Sequence, residues 1–143
     1  MENKVYVFLD IDGVLNAPGD KIIFEMFEEK KLELLIDFIK EMKASLVITS
    51  SRRTYPSDLK IINNIFAPVC EVGVLSEKRL FKYRGEEIDF FIKQNKIKKY
   101  VIFDDNDGGI SRIEELKKHF ILIDYLTGLT LSDIKNAKII LQA

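Results

Sequence analysis

Runs of apolar residues alternate along this chain with stretches where apolar positions recur every three or four residues, which predicts strand and helix in turn. Lys4 to Leu9 is β-branched and aromatic with almost no polar break, as in a strand covered on both faces. Asn16-Ala17-Pro18-Gly19-Asp20 marks a loop. From about Glu28 to Lys43, Leu32, Leu35, Ile36, Ile39 and Met42 keep helical spacing with Lys and Glu between them. Ser45 to Thr49 is a second strand, broken at Ser50-Ser51-Arg52-Arg53. Ser57 is placed to cap a helix through Leu59, Ile62 and Ile65 to Phe66, where Pro68 stops it. Val69 to Val72 reads as a short third strand. After a loop from Gly73 to Arg84, a helix starts near Gly85. Its first turn holds Glu86 and Glu87, where the helix dipole favours acids, and Ile88, Phe91 and Ile92 form its core face. Tyr100 to Phe103 is the fourth strand, ending on Asp104-Asp105-Asn106-Asp107. A helix capped by Ser111, a fifth strand from Phe120 to Ile123 and a last helix from Leu131 to about Leu141 complete the pattern.

This alternation predicts an α/β fold, a Rossmann-like three-layer sandwich with a central parallel sheet of about five strands and helices on both faces. A chain of 143 residues suits a single domain spanning 1–143. With 47% apolar and 31% charged residues it is globular rather than disordered. A net charge of -1 excludes a general electrostatic footprint for nucleic acid or acidic membranes and leaves only local basic patches. The single Cys70 rules out an internal disulfide, no Cys/His cluster suggests zinc, and the apolar context of Cys70 reads as a buried structural thiol. No apolar run approaches the ~18 residues of a membrane span. The N-terminal residues lack a signal-peptide pattern, so a cytoplasmic location is expected.

Chemistry concentrates at the predicted strand ends. The first strand delivers Asp10 and Asp12, with Gly13 permitting a sharp turn; the second delivers Thr49, Ser50 and Ser51; the fourth delivers Asp104 and Asp105. In a parallel sheet with right-handed crossovers these ends share one edge, where ligands of open α/β sheets bind. Were strand geometry to persist, Asp10 and Asp12 would point to the same side. Carboxylates gathered there repel unless a cation or a proton joins them, and such hard oxygen donors suit Mg²⁺, which commonly shares a substrate phosphate. Nearby hydroxyls and a guanidinium or ammonium group would hold phosphate oxygens.

Four stretches carry a family resemblance: LDIDGVLN (Leu9 to Asn16), LVITSSR (Leu46 to Arg52), RGEEI (Arg84 to Ile88) and VIFDDND (Val101 to Asp107). Together they resemble the haloacid dehalogenase (HAD) superfamily of phosphohydrolases. The TSSR and RGEEI…FDDND wording is most similar to the small HAD domains of Swiss army knife RNA-repair proteins. The resemblance implies a HAD-like hydrolase domain and a Mg²⁺-dependent phosphatase. It makes Asp10 the nucleophile, forming an aspartyl-phosphate. It makes Asp12 the general acid and then base, with its backbone carbonyl on the metal. Thr49 would bind the transferring phosphoryl group, Asp105 would be the second carboxylate on Mg²⁺, and Asp104 would support the metal site. The basic group of the third motif, ordinarily Lys, falls to Arg84, with Lys82 in reserve; Arg is a planar fork where Lys is a point charge. Neither the interval after Asp12 nor that between Thr49 and Arg84 has room for an inserted cap domain. In the family that goes with an open site and bulky substrates, here a nucleic-acid end or a phosphoprotein rather than a sugar phosphate.

Arg52 and Arg53 read as surface residues, with Arg52 within reach of a substrate phosphate, and His119 reads as a surface residue. Lys78, Arg79 and Lys82 read either as a solvated loop or, beside the site, as a patch that would steer a polyanionic substrate. Two further readings compete. One is a non-catalytic Mg²⁺- or phosphate-binding module, supported by Arg at the third motif. The other is a signalling receiver domain, which ranks low because the second and third strands end at Thr49 and near Val72 without an Asp.

Overall fold

The computed structural model describes residues 4–76 and 81–143. Five strands, β1 (Val5–Leu9), β4 (Ala44–Ile48), β5 (Val72–Val74), β6 (Lys99–Asp104) and β7 (Phe120–Leu122), form a sheet in the order β5-β4-β1-β6-β7. All its neighbours pair in parallel. The helices α1 (Glu29–Met42), α2 (Pro56–Phe66), α3 (Arg84–Asn95), α4 (Glu114–Lys117) and α5 (Leu131–Gln142) connect or follow these strands. This is the expected Rossmann-like α/β architecture.

Strand alternation divides the interior into two cores. On one face Val5, Val7 and Leu9 of β1 join Leu46 and Ile48 of β4 and Val101 and Phe103 of β6, under Leu35, Phe38 and Ile39 of α1 and Ile134 and Ala137 of α5. On the other face Phe8, Val47 and Ile102 pack against Ile88 and Ile92 of α3, with Ile110 and Leu116 beyond. Being buried on both sides, the central strands carry no charged residue in their interiors, and Ser45 of β4 is buried with its hydroxyl donating to Glu71 Oε1 at 3.3 Å. Among the described residues no helix is long and apolar enough to cross a membrane.

Several local expectations shift. The third strand is Val72–Val74, three residues beyond the predicted start; Val69 and Cys70 instead donate their N–H groups back to Phe66 O at the end of α2, which delays entry into the sheet. Cys70 is half-buried rather than buried. α2 starts at Pro56 with Tyr55 as its cap residue, because the Ser51–Thr54 stretch winds into a 3-10 helix first. Pro suits that first position, since its missing N–H would have no helical partner. The helix expected after Ser111 splits into a 3-10 turn, Ile110–Arg112, and the short α4. A two-stranded hairpin, β2 (Ile22–Ile23) and β3 (Phe27–Glu28), precedes α1, where the residue pattern predicts no strand. Its turn residues Phe24 and Glu25 both have positive φ, 52° and 66°, a conformation ordinarily signalled by Asn-Gly and here adopted without it.

Candidate active site

The register places the site. Leu9 lies opposite both Ile48 and Phe103, so Asp10, Thr49 and Asp104 follow at one level across the three middle strands. Two further backbone bonds extend the ladder: Asp10 N–H to Phe103 O at 3.0 Å and Thr49 N–H to Leu9 O at 2.9 Å. Carboxylate oxygens of Asp10, Asp104 and Asp105 come within 4.8 Å of one another. Asp10 and Asp104 are buried and Asp105 is half-buried.

Arg84 enters this cluster from the first position of α3. Its Nη1 donates to Asp104 Oδ2 at 2.7 Å and lies 3.4 Å from Asp10 Oδ1. The helix can start there because residue 85 is glycine. A Cβ on Gly85 would sit 2.8 Å from the Gly109 carbonyl carbon, and Gly85 N–H donates to Gly108 O at 2.9 Å. Asp104 Oδ1 also accepts the Asn106 N–H at 3.0 Å, which ties the loop after β6 to its last carboxylate. Lys82 is exposed, with its ammonium 5.4 Å above the Tyr83 ring, so among the described residues Arg84 is the cation on these carboxylates. Lys78 and Arg79 lie outside the described residues.

One guanidinium cannot neutralise three carboxylates. Burial, then the charge of Asp104, pushes the Asp10 carboxyl up to about 8; burial likewise raises Asp104. A hard divalent cation would remove that conflict, and a close set of carboxylate oxygens is the donor chemistry it requires. Asp10, Asp104 and Asp105 therefore fit a Mg²⁺ site. Gly13 supports the geometry: its φ is +82°, and a Cβ there would lie 2.6 Å from Asp105 Cγ.

Asp12 goes elsewhere. β1 ends at Leu9, so the two-residue alternation does not carry Asp12 to the side of Asp10. Its exposed carboxylate instead accepts from Arg52 Nε at 2.8 Å and Nη2 at 2.9 Å, and from Asn16 Nδ2 at 3.2 Å. The Arg52 hydrogen bonds, then that of Asn16, hold the Asp12 carboxyl below the ordinary range despite partial burial. Its carboxylate is thus outside the group of three. A cavity of about 500 Å³ opens beside it, lined among others by Gly13, Asn16, Arg52, Asp105 and Tyr125.

Thr49 is fully buried, and its Oγ1 has no hydrogen-bond partner among the described residues. Leaving a buried hydroxyl unsatisfied costs about 1–3 kcal/mol, which a bound acceptor would recover.

Arg53 corrects the surface reading outright. It is 2% exposed and forms an ion pair with buried Glu87 of α3. Arg52 is half-buried, and His119 is half-buried with its ring stacked 4.0 Å from that of Tyr100. Nothing in the sequence marks Arg53 as interior. Glu87 does carry a signal: it lies three residues after Arg84 and four before Phe91, on the inward face of α3.

A parallel sheet that delivers an aspartate from its first strand, a threonine from the next and an aspartate pair from the fourth onto one edge has the organisation of the haloacid dehalogenase class. The family model for the HAD domain in Swiss Army Knife RNA repair proteins matches residues 6–134, and the chain belongs to that family. The HAD domain places it in a superfamily of hydrolases generally. A search of the curated proteins found no match.

Proposed function

We propose that this protein is a Mg²⁺-dependent phosphomonoester hydrolase, with residues 1–143 acting as one cytoplasmic hydrolase domain. The observation that carries the reading is the convergence of Asp10, Asp104 and Asp105 within 4.8 Å, together with Arg84, at the C-terminal edge of the sheet. Asp10, Asp105 and the Asp12 backbone carbonyl would hold Mg²⁺, with Asp104 supporting. When bound, the ion supplies the positive charge that lets an anionic carboxylate approach an anionic phosphate.

An Asp10 carboxylate oxygen attacks phosphorus, the bond to the leaving oxygen breaks, and Asp12 gives that oxygen its proton. Water then attacks the aspartyl-phosphate, passing a proton to Asp12, and inorganic phosphate leaves with Asp10 restored. Thr49 Oγ1 donates to a phosphate oxygen, and Arg84 balances the charge that develops in transfer. Arg52 keeps Asp12 ionised in the substrate-free arrangement. An incoming phosphate monoanion competes for that guanidinium and passes its proton to the freed Asp12, which then gives it to the leaving oxygen.

The substrate we favour is a phosphorylated nucleic-acid end or another bulky phosphoester. The RNA-repair setting named for the family supports this choice. So does the 500 Å³ cavity beside Asp12 and Asp105, which gives the leaving group room.

A second reading is a non-catalytic Mg²⁺- or phosphate-binding module. The Asp12–Arg52 pair and the arginine at position 84 favour it. Phosphate release from an aryl phosphate, with Mg²⁺ and with chelator, in wild type and Asp10→Asn, decides between them. Mg²⁺-dependent release lost in the variant supports the hydrolase, and 5′- and 3′-phosphorylated oligonucleotides are then compared. No release from any of these substrates, with phosphate still bound, supports the binding module.

A further inference from the structure

We infer that the buried Arg53–Glu87 pair is a positioning clamp, holding the strand end that carries Thr49 in register with the helix that carries Arg84. The inference rests on the phosphate-handling roles proposed for Thr49 and Arg84. Arg53 stands in the 3-10 turn after β4, and all three of its guanidinium nitrogens are engaged. Nε donates to Ser76 O at 2.7 Å. Nη1 donates to Thr49 O and, at 3.2 Å, to Ser50 O. Nη2 donates to Glu87 Oε1 and Oε2 at 3.2 and 3.1 Å. The two side chains are 1% and 6% exposed.

Stability is a poor reason for such a pair. Two charges withdrawn from water lose most of what their attraction returns, and apolar residues of similar volume often do as well or better. Apolar residues have no directionality, however. They cannot fix carbonyls from the end of β4 and from the segment after β5 against one carboxylate of α3. Glu87 lies one helical turn from Arg84 on the same face, so anchoring Glu87 sets the rotation of the turn that aims Arg84 at Asp10 and Asp104. A continuous path then runs from the Thr49 carbonyl through Arg53 and Glu87 to Arg84. The two groups assigned to the phosphate belong to segments that share no sheet pairing, and this pair joins them.

The test compares wild type, the apolar double variant Arg53→Met/Glu87→Met, and the conservative Glu87→Gln, which keeps an acceptor at the same position. Thermal midpoint, kcat and KM on an aryl phosphate with Mg²⁺, and amide hydrogen exchange over residues 49–54 and 84–88 are measured for each. The double variant is expected to stay folded and to exchange faster in both segments together. Its kcat falls by about 10²-fold, the loss that a displacement of ~1 Å produces, while KM rises far less. Glu87→Gln recovers most of kcat and of the exchange protection. Unchanged kcat and exchange in a folded double variant overturn the clamp, as does faster exchange confined to one segment. Should the double variant not fold, Arg53→Lys, whose single ammonium cannot hold the two carbonyl segments and the Glu87 carboxylate together, is judged by the same exchange criteria. Should wild type turn over neither the aryl phosphate nor phosphorylated oligonucleotides, the hydrolase reading fails, and concerted or unconcerted exchange alone upholds or overturns the clamp.

Discussion

Arg84 and Asp104 meet at 2.7 Å although they leave different elements: Arg84 opens α3 and Asp104 closes β6. The contact comes from the floor of the site and also reaches Asp10, so one guanidinium answers two buried carboxylates before any ligand arrives.

Removing that guanidinium exposes how much it does. Arg84→Met leaves Asp104 buried without its cation, and breaking such a pair costs about 3–5 kcal/mol. Urea denaturation with chelator is expected to show this loss. Added Mg²⁺ returns part of it, because a cation at the same carboxylates replaces some of the missing charge.

Thr49→Val separates function from stability. The variant is isosteric and removes a hydroxyl that has no partner among the described residues. Stability is expected to hold or rise by up to about 1 kcal/mol, since an unsatisfied buried donor disappears. Turnover falls, since the hydroxyl proposed to bind phosphate is gone. Denaturation and aryl-phosphate kinetics on one preparation check both halves.

Gly13→Ala forces a side chain into Asp105 at a φ of +82°. A non-glycine residue held in a sparsely populated conformation costs about 1–3 kcal/mol, before any displacement of Asp105 is counted. Calorimetry should show the lower midpoint, and Mg²⁺ titration by calorimetry should show weaker binding as Asp105 moves away from its partners.

Asp10 gives the metal-free protein a pH dependence with a definite sign. Its carboxyl is raised from 3.8 to about 8 by burial and then by Asp104. Between those values the folded chain holds a proton that the unfolded chain has released, so unfolding free energy declines as pH rises. The stabilising contribution of that proton is complete below the unfolded value, shrinks across the window, and is lost once pH passes the folded value. Denaturation midpoints in chelator should therefore fall from about pH 4 to about pH 8 and then level. Asp10→Asn reduces the slope, leaving the contribution of Asp104, whose carboxyl burial raises in the same direction. Saturating Mg²⁺, which favours the ionised carboxylates, flattens it in wild type.

Much of the architecture was legible in the residue pattern because burial on both faces keeps charged residues out of the interior of a central strand. Val5 to Leu9 and Ala44 to Ile48 hold no charged residue, and Asp10, Thr49 and Asp104 stand at or directly after the ends of β1, β4 and β6. The short edge strand Val72–Val74 was displaced in the reading because its residues are only half-buried and their alternation is weak. The hairpin leaves no mark in the residue pattern because Phe24 and Glu25 adopt positive φ without the residues that normally announce it.

The sequence by itself determined the succession of the five sheet strands and the longer helices between them, the polar groups at the strand ends and the family they resemble, since all of these follow from local periodicity and local wording. Tertiary structure alone decided that Asp12 pairs with Arg52 rather than joining the three carboxylates, that Arg84 rather than Lys82 reaches them, and that Arg53 lies in the interior against Glu87. The physical reason is common to the three. A charged residue reads as solvent-facing until an opposite charge is brought to it, and which charges meet depends on strand register and helix rotation between segments far apart in the chain.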